Sequence, residues 1–149
     1  MADLLEDRLQ YACAEYLRFN KICFFHVPNE GKRSIQGHAR MIAKGLQAGV
    51  HDLVILLDGG VTLWVELKTK KGVISKHQKT WHERIVKMGY HHLVLKSDCV
   101  LEILEGLEAF LLAHLPDDQK CNVQSAKTFL LSRPQLHKAC AACRPSSSA

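Results

Sequence analysis

The stretch Gly49–Lys68, GVHDLVILLDGGVTLWVELK, constrains the fold of this chain more than any other. Two apolar runs, Leu53–Leu57 and Val61–Leu67, flank Asp58-Gly59-Gly60, which is the pattern of a β-hairpin. A three-residue loop is a common hairpin connection. With that loop Leu57 faces Val61, and counting back sets Asp52 opposite Glu66. Directly opposed residues share a face, with Cβ atoms about 5 Å apart. Lys68 follows Glu66 by two residues and shares its face, because strand side chains alternate. A two-residue loop would send the carboxylates to opposite faces, so the turn decides whether they meet.

Paired carboxylates are hard oxygen ligands suited to Mg²⁺ or Mn²⁺, and the backbone carbonyl of Leu67 offers a further oxygen. A cation held there would acidify bound water and offset charge on a phosphate, with the Lys68 ammonium beside it. E-x-K alone is common, and it equally describes a surface hairpin with a Glu–Lys pair. Gln78 adds weight to the chemical reading. It falls in line with Trp81 and Ile85 on a helix, which either points its amide inward, where it needs partners, or leaves it at the exposed edge of the stripe.

The rest of the chain supplies a frame for the hairpin. Leu4–Asn20 reads as a helix with a buried stripe of Leu5, Leu9, Ala12, Cys13, Tyr16 and Leu17, and Asp3 is placed to cap it. Glu6 stands at the edge of that stripe, either leaning inward or serving as a first-turn acid favoured by the helix dipole. Lys21–Val27 reads as a short strand stopped by the turn cluster Pro28–Gly31. Gln36–Gln47 reads as a second helix that buries Ala39, Ile42, Ala43 and Leu46, with Gly45 inside it. Gly49 is either a left-handed helix stop or a point of close approach for a phosphate backbone.

Beyond the hairpin, Ser75 caps a helix over Lys76–Met88 whose buried residues are Trp81, Ile85 and Met88. His91–Lys96 is a strand. A helix from Ser97 or Asp98 to about Leu115 buries Val100, Ile103, Leu104, Leu107, Phe110 and Leu111. Asn122–Ser132 holds a short helix, and the tail RPSSSA reads as disordered. The order α-β-α-β-β-α-β-α predicts one α/β domain, a mixed central sheet flanked by helices.

A chain of 149 residues can build one sizeable core. Its net charge of +5 leans mildly towards polyanionic partners. Lys32, Arg33, Lys44, Lys70, Lys71, Lys76 and Lys79 could track a DNA backbone, although each alone also suits a solvated surface. No run approaches a membrane span and the N-terminus MADLLED is acidic, so a cytoplasmic location is expected. Six scattered cysteines are expected to be reduced. His137-x2-Cys140-x2-Cys143, with Cys121, has zinc-like spacing that equally suits an alanine-rich helix. The absence of a Walker loop and of G-x-S-x-G argues against an NTPase or an α/β-hydrolase.

Several segments together resemble a known family. They are a first helix with Glu6 and Gln10, FHVPNEGKRS (Phe25–Ser34), KGLQAGVHD (Lys44–Asp52), VELKTKKGVIS (Val65–Ser75), and Gln78 with Trp81 ahead of Gly89-Tyr90. Over residues 4 to 98 the chain is similar to a stand-alone virus-type replication-repair nuclease (VRR-NUC) domain, a branch of the PD-(D/E)xK superfamily. The resemblance implies a restriction-endonuclease-like αβββαβ core within residues 1–115, with 116–149 as an extension. It implies Glu6, Asp52 and Glu66 as metal-site acids, Lys68 as the catalytic lysine and Gln78 as the helix glutamine near the site. It further implies an Mg²⁺- or Mn²⁺-dependent DNA endonuclease acting on branched DNA such as Holliday junctions, as a homodimer, in a bacterial or phage-infected cell. His51 stands where the family commonly has proline, which sets a titratable group beside the site. A catalytically silent nucleic-acid-binding module and a partner-binding subunit of the same fold remain the alternatives.

Overall fold

In the structure, a computed structural model that describes residues 2–27 and 35–138, the hairpin takes the register read from its turn. Strand β2 (Leu53–Leu57) pairs antiparallel with β3 (Val61–Lys68), with Leu57 opposite Val61 and Leu53 opposite Val65. Asp58–Gly60 form the connecting turn. The next step along this ladder sets Asp52 across from Glu66.

Strand β1 (Cys23–His26) pairs antiparallel with β2, and β4 (His91–Lys96) runs parallel to β3. The sheet is therefore mixed, in the order β1-β2-β3-β4. Parallel neighbours need a crossover, and α3 (Lys76–Lys87) supplies it. One sheet face, with Leu53, Ile55, Leu63, Val65 and Leu67, joins α1 (Ala2–Phe19), α4 (Val100–His114) and α6 (Ala126–Ser132) in a single core. Each leucine fully buried there contributes roughly 1.5–3 kcal/mol. Phe129 of α6 packs edge-on to Tyr16, whose hydroxyl donates to the Gln124 carbonyl at 2.7 Å. The opposite sheet face carries Trp64, Glu66 and His92 towards α3. Helices α2 (Ile35–Ala43), α5 (Asp117–Lys120) and α7 (Pro134–Lys138) complete the described chain.

The α/β class, the single mixed sheet and the element order agree with the sequence reading. Several details do not. Helix α1 already runs from Ala2, so Asp3 lies inside it rather than capping it. Helix α2 ends at Ala43, four residues before Gln47. Gly45, at φ +100°, donates to the Ile42 carbonyl while Leu46 N–H reaches back to Met41, a left-handed stop that closes the helix early. The apolar stripe of α2 is exposed at Ala39, Ile42 and Ala43. Met88 is the C-cap of α3 and lies 54% exposed, beyond the turn that faces the sheet. Helix α4 starts at Val100, but Ser97 still serves its entry, since its hydroxyl accepts the Cys99 N–H at 3.0 Å. Cys99 is disulfide-bonded rather than reduced, a pairing in space that sequence spacing does not reveal. Cys13, Cys23 and Cys121 are free. Cys140, Cys143, the His137 side chain, the Pro28–Gly31 turn and the RPSSSA tail lie outside the described residues.

Gly49 is neither a helix stop nor open to a phosphate. At φ +83°, a Cβ on it would lie 2.4 Å from the His77 carbonyl carbon and 2.6 Å from the Gln78 nitrogen. The backbone of the first turn of α3 fills that space and locks the approach to Asp52. Gly49→Ala is expected to cost roughly 2–5 kcal/mol in urea denaturation, from overpacking and backbone strain together. Gly45→Ala meets no neighbouring atom and should cost only the strain, about 1–2 kcal/mol.

Candidate active site

Asp52 and Glu66 come together as the register requires. Asp52 Oδ2 accepts the Leu67 backbone N–H at 2.7 Å. Glu66 is fully buried. Its Oε1 lies 3.0 Å from Lys68 Nζ and also accepts from the Gln78 side-chain amide. Its Oε2 is buried with no hydrogen-bond partner. Lys68 Nζ makes a second ion pair, to Glu6 Oε1 at 2.7 Å, so one ammonium bridges α1 and the hairpin.

The charges are unbalanced: Glu6 and Glu66 share one ammonium, and Asp52 adds a further negative charge beside Glu66. Burial, with Asp52 alongside, pushes the Glu66 carboxyl up to about 7 against the pull of Lys68. Burial by itself would lower Lys68. Its hydrogen bonds to Glu6 and Glu66 outweigh that and hold it above the ordinary lysine range, so the ammonium stays charged.

Among the described residues no group of three or more His, Cys, Asp or Glu is arranged as a ready metal site. Glu6 is engaged with Lys68. The Asp52–Glu66 pair still fits a hard divalent cation. It presents a buried carboxylate oxygen without a partner, a carboxyl that readily takes a proton in place of a cation, and a second carboxylate directly across the ladder.

Gln78 holds two positions at once. Its Oε1 accepts the Ser75 N–H at 2.8 Å and its own N–H donates to Ser75 Oγ at 3.2 Å, a reciprocal capping box that starts α3. Its Nε2 reaches Glu66. Lys44, Lys70, Lys71, Lys76 and Lys79 are all exposed, and the Lys70 backbone N–H is tied to Asp98 Oδ1 at 2.8 Å. Lys32 and Arg33 lie outside the described residues.

Two groupings near the site escaped sequence reading, which marked His51 alone as a titratable neighbour. His26 Nδ1 lies 3.0 Å from the Asp52 carbonyl and against the Gln10 amide. Both line a cleft of about 720 Å³ with Tyr11, Arg18, Phe25 and Asp52, and this cleft opens the Asp52 side to solvent. The second group is a set of imidazoles. His51 is buried against His82 and His92, with Trp64 edge-on at 5.9 Å. Burial, then those two neighbours, push His51 down to about 3. The signals for His82 and His92 were present. His82 is one helical turn past Gln78, and His92 pairs with Trp64 in the parallel ladder, on the face of Glu66.

With this geometry in view, the comparison with solved structures is informative about fold. A structure described as "VRR_NUC domain protein" has a TM-score of 0.52 and 21% sequence identity, covering 71% of this chain and 87% of that one. The fold is VRR-NUC-like. A second structure, described as "VRR_NUC domain", has a TM-score of 0.49 and 23% identity, covering 74% of this chain and 96% of that one. No protein-family model and no curated protein matches the sequence. No helix among the described residues is long and apolar enough to cross a membrane.

Proposed function

We propose that the chain is a divalent-cation-dependent DNA endonuclease that hydrolyses phosphodiester bonds at the Asp52–Glu66–Lys68 centre. One observation carries this reading. A charged lysine is paired with Glu66, which has Asp52 as its acidic neighbour, and one Glu66 carboxylate oxygen is buried without a partner. Asp52 and Glu66 would hold Mg²⁺ or Mn²⁺, beside Leu67. Such an ion supplies an acidified water and neutralises charge on the phosphate. The protein's own groups do the rest. Lys68, kept charged and aimed by Glu6, offers its ammonium to a phosphate oxygen as negative charge grows there. Gln78 fixes the Glu66 carboxylate through its amide. The exposed lysines after β3 and on the first turn of α3 follow the backbone of the substrate, so binding should weaken steeply with salt.

Selectivity for branched DNA, such as a four-way junction, and a homodimeric state rest on the motif resemblance alone. The testing experiment is a cleavage panel of duplex, flap, splayed-arm and four-way-junction DNA with Mg²⁺ or Mn²⁺. Metal-dependent cutting is expected, fastest on the junction. Absence of cutting on every substrate overturns the enzymatic reading. The closed Glu6–Lys68–Glu66 ion pairing favours a second reading, a nucleic-acid-binding module without cleavage. Salt-sensitive DNA binding with no cleavage in either metal would support it.

Gln78→Glu discriminates between folding and chemistry at that position. Glutamate preserves the capping box, so circular dichroism should be unchanged. The amide donor to Glu66 is replaced by a further negative charge. Cleavage is expected to fall by about 10–100-fold.

A further inference from the structure

Three imidazoles from three elements meet between the sheet and α3. His51 precedes β2, His82 lies on α3 and His92 on β4. Their ring centroids are 4.6 Å apart for His51–His82, 5.0 Å for His82–His92 and 5.6 Å for His51–His92. His51 is 0% exposed, and neither of its ring nitrogens has a hydrogen-bond partner. His82 Nε2 and His92 Nδ1 are also buried and unpartnered. Buried polar atoms are nearly always satisfied, and this cluster leaves several open at one spot.

A bound cation would satisfy all three rings together. Neutral imidazole is the preferred ligand of borderline divalent transition metals, unlike the oxygen pair at Asp52–Glu66, which suits hard cations. Zinc–nitrogen bonds of about 2.0–2.1 Å hold the centroids of two ligating rings on the order of 5 Å apart in a tetrahedral site. The three observed separations bracket that spacing. The ring nitrogens do not yet converge on a ready site, the planes meeting at 40°, 34° and 74°. Since the centroids already stand at the required spacing, ring rotation is the change that ligation needs. His82 and His92 are only half-buried, which leaves a route from solvent.

We propose that His51, His82 and His92 form a three-histidine site for a borderline divalent metal, zinc foremost, separate from the Asp52–Glu66 pair. The ion ties the loop entering Asp52 to α3 and to β4, and so braces the frame of the carboxylate centre. This site stands whether or not the carboxylate centre cleaves DNA.

The test uses the full chain, stripped with chelator and titrated with Co²⁺ and then Zn²⁺, followed by visible absorbance and calorimetry. The expected result is one Co²⁺ bound with the strong visible absorbance of a tetrahedral nitrogen site, displaced by Zn²⁺, with a rise in melting temperature. The same signal should persist in Asp52→Asn/Glu66→Gln. His82→Gln and His92→Gln, both at half-buried positions and checked for folding by circular dichroism, should each weaken binding by on the order of 100-fold or more. Binding that survives both histidine substitutions belongs elsewhere in the chain and overturns the proposal. So does a signal lost with the carboxylates, or a folded parent that binds neither metal.

Discussion

Lys68→Ala is expected to lower the rate of DNA cleavage by about 10²–10³-fold, and Asp52→Asn by at least as much. The two act by different routes. Lys68 is the only ammonium bonded to both Glu6 and Glu66 among the described residues, and its removal takes away the positive charge offered to the phosphate. It also leaves buried Glu66 facing Asp52 without compensation. Removing one partner of a buried pair costs roughly 3–5 kcal/mol when the other stays charged. Glu66 can avoid most of that by taking up a proton, since it already titrates near 7. The stability loss in Lys68→Ala should therefore be small at pH 6 and larger at pH 8. Asp52→Asn removes a negative neighbour of Glu66 while keeping an acceptor for the Leu67 N–H, so it should remain well folded. If either folded variant cuts a four-way junction as fast as the parent, the assignment of this centre is wrong.

The second large effect is a reversal of the pH dependence of stability by metal. Glu66 has its folded pKa raised to about 7 from a reference of 4.5, chiefly by burial. A raised pKa means the folded state holds the proton more tightly than the unfolded chain. Its stabilising contribution is complete below 4.5 and is lost as pH rises through 7. At about 1.4 kcal/mol per pH unit, that shift amounts to on the order of 3 kcal/mol. In chelator, the parent should lose stability between pH 5 and pH 8 relative to Glu66→Gln, which carries no titrating group there. Saturating Mg²⁺ or Mn²⁺ should abolish or invert that difference, because the cation takes the place of the proton and binds only the ionised form. Urea denaturation of both proteins at several pH values, with and without metal, reads the effect directly. A parent curve parallel to that of Glu66→Gln in chelator would show that Glu66 does not titrate as its environment dictates.

Legibility varied by residue for physical reasons. The pairing of Asp52 with Glu66 followed from a turn of fixed length and the two-residue period of strands, both local. The inward aim of Gln78 followed from helical spacing with Trp81 and Ile85. The link from Lys68 to Glu6 spans 62 positions and depends on how α1 packs across the core, which no local period encodes. Helix α2 shows the converse. Its spacing marks an apolar face at Ala39, Ile42 and Ala43, but periodicity says only that a face exists and not that anything covers it. The histidines were visible one by one, yet their meeting required the α3 crossover to bring His82 and His92 over the loop that holds His51.

The side chain of Gln78 carries a consequence beyond its two hydrogen bonds. Its oxygen is committed to the helix start and its nitrogen to Glu66, so the amide plane is tied at both ends. The buried Glu66 carboxylate and the Ser75 N–H at the start of α3 are thereby joined through one planar amide, a turn ahead of the exposed Lys79. A substitution at position 78 is therefore felt at the helix start and at the buried centre together.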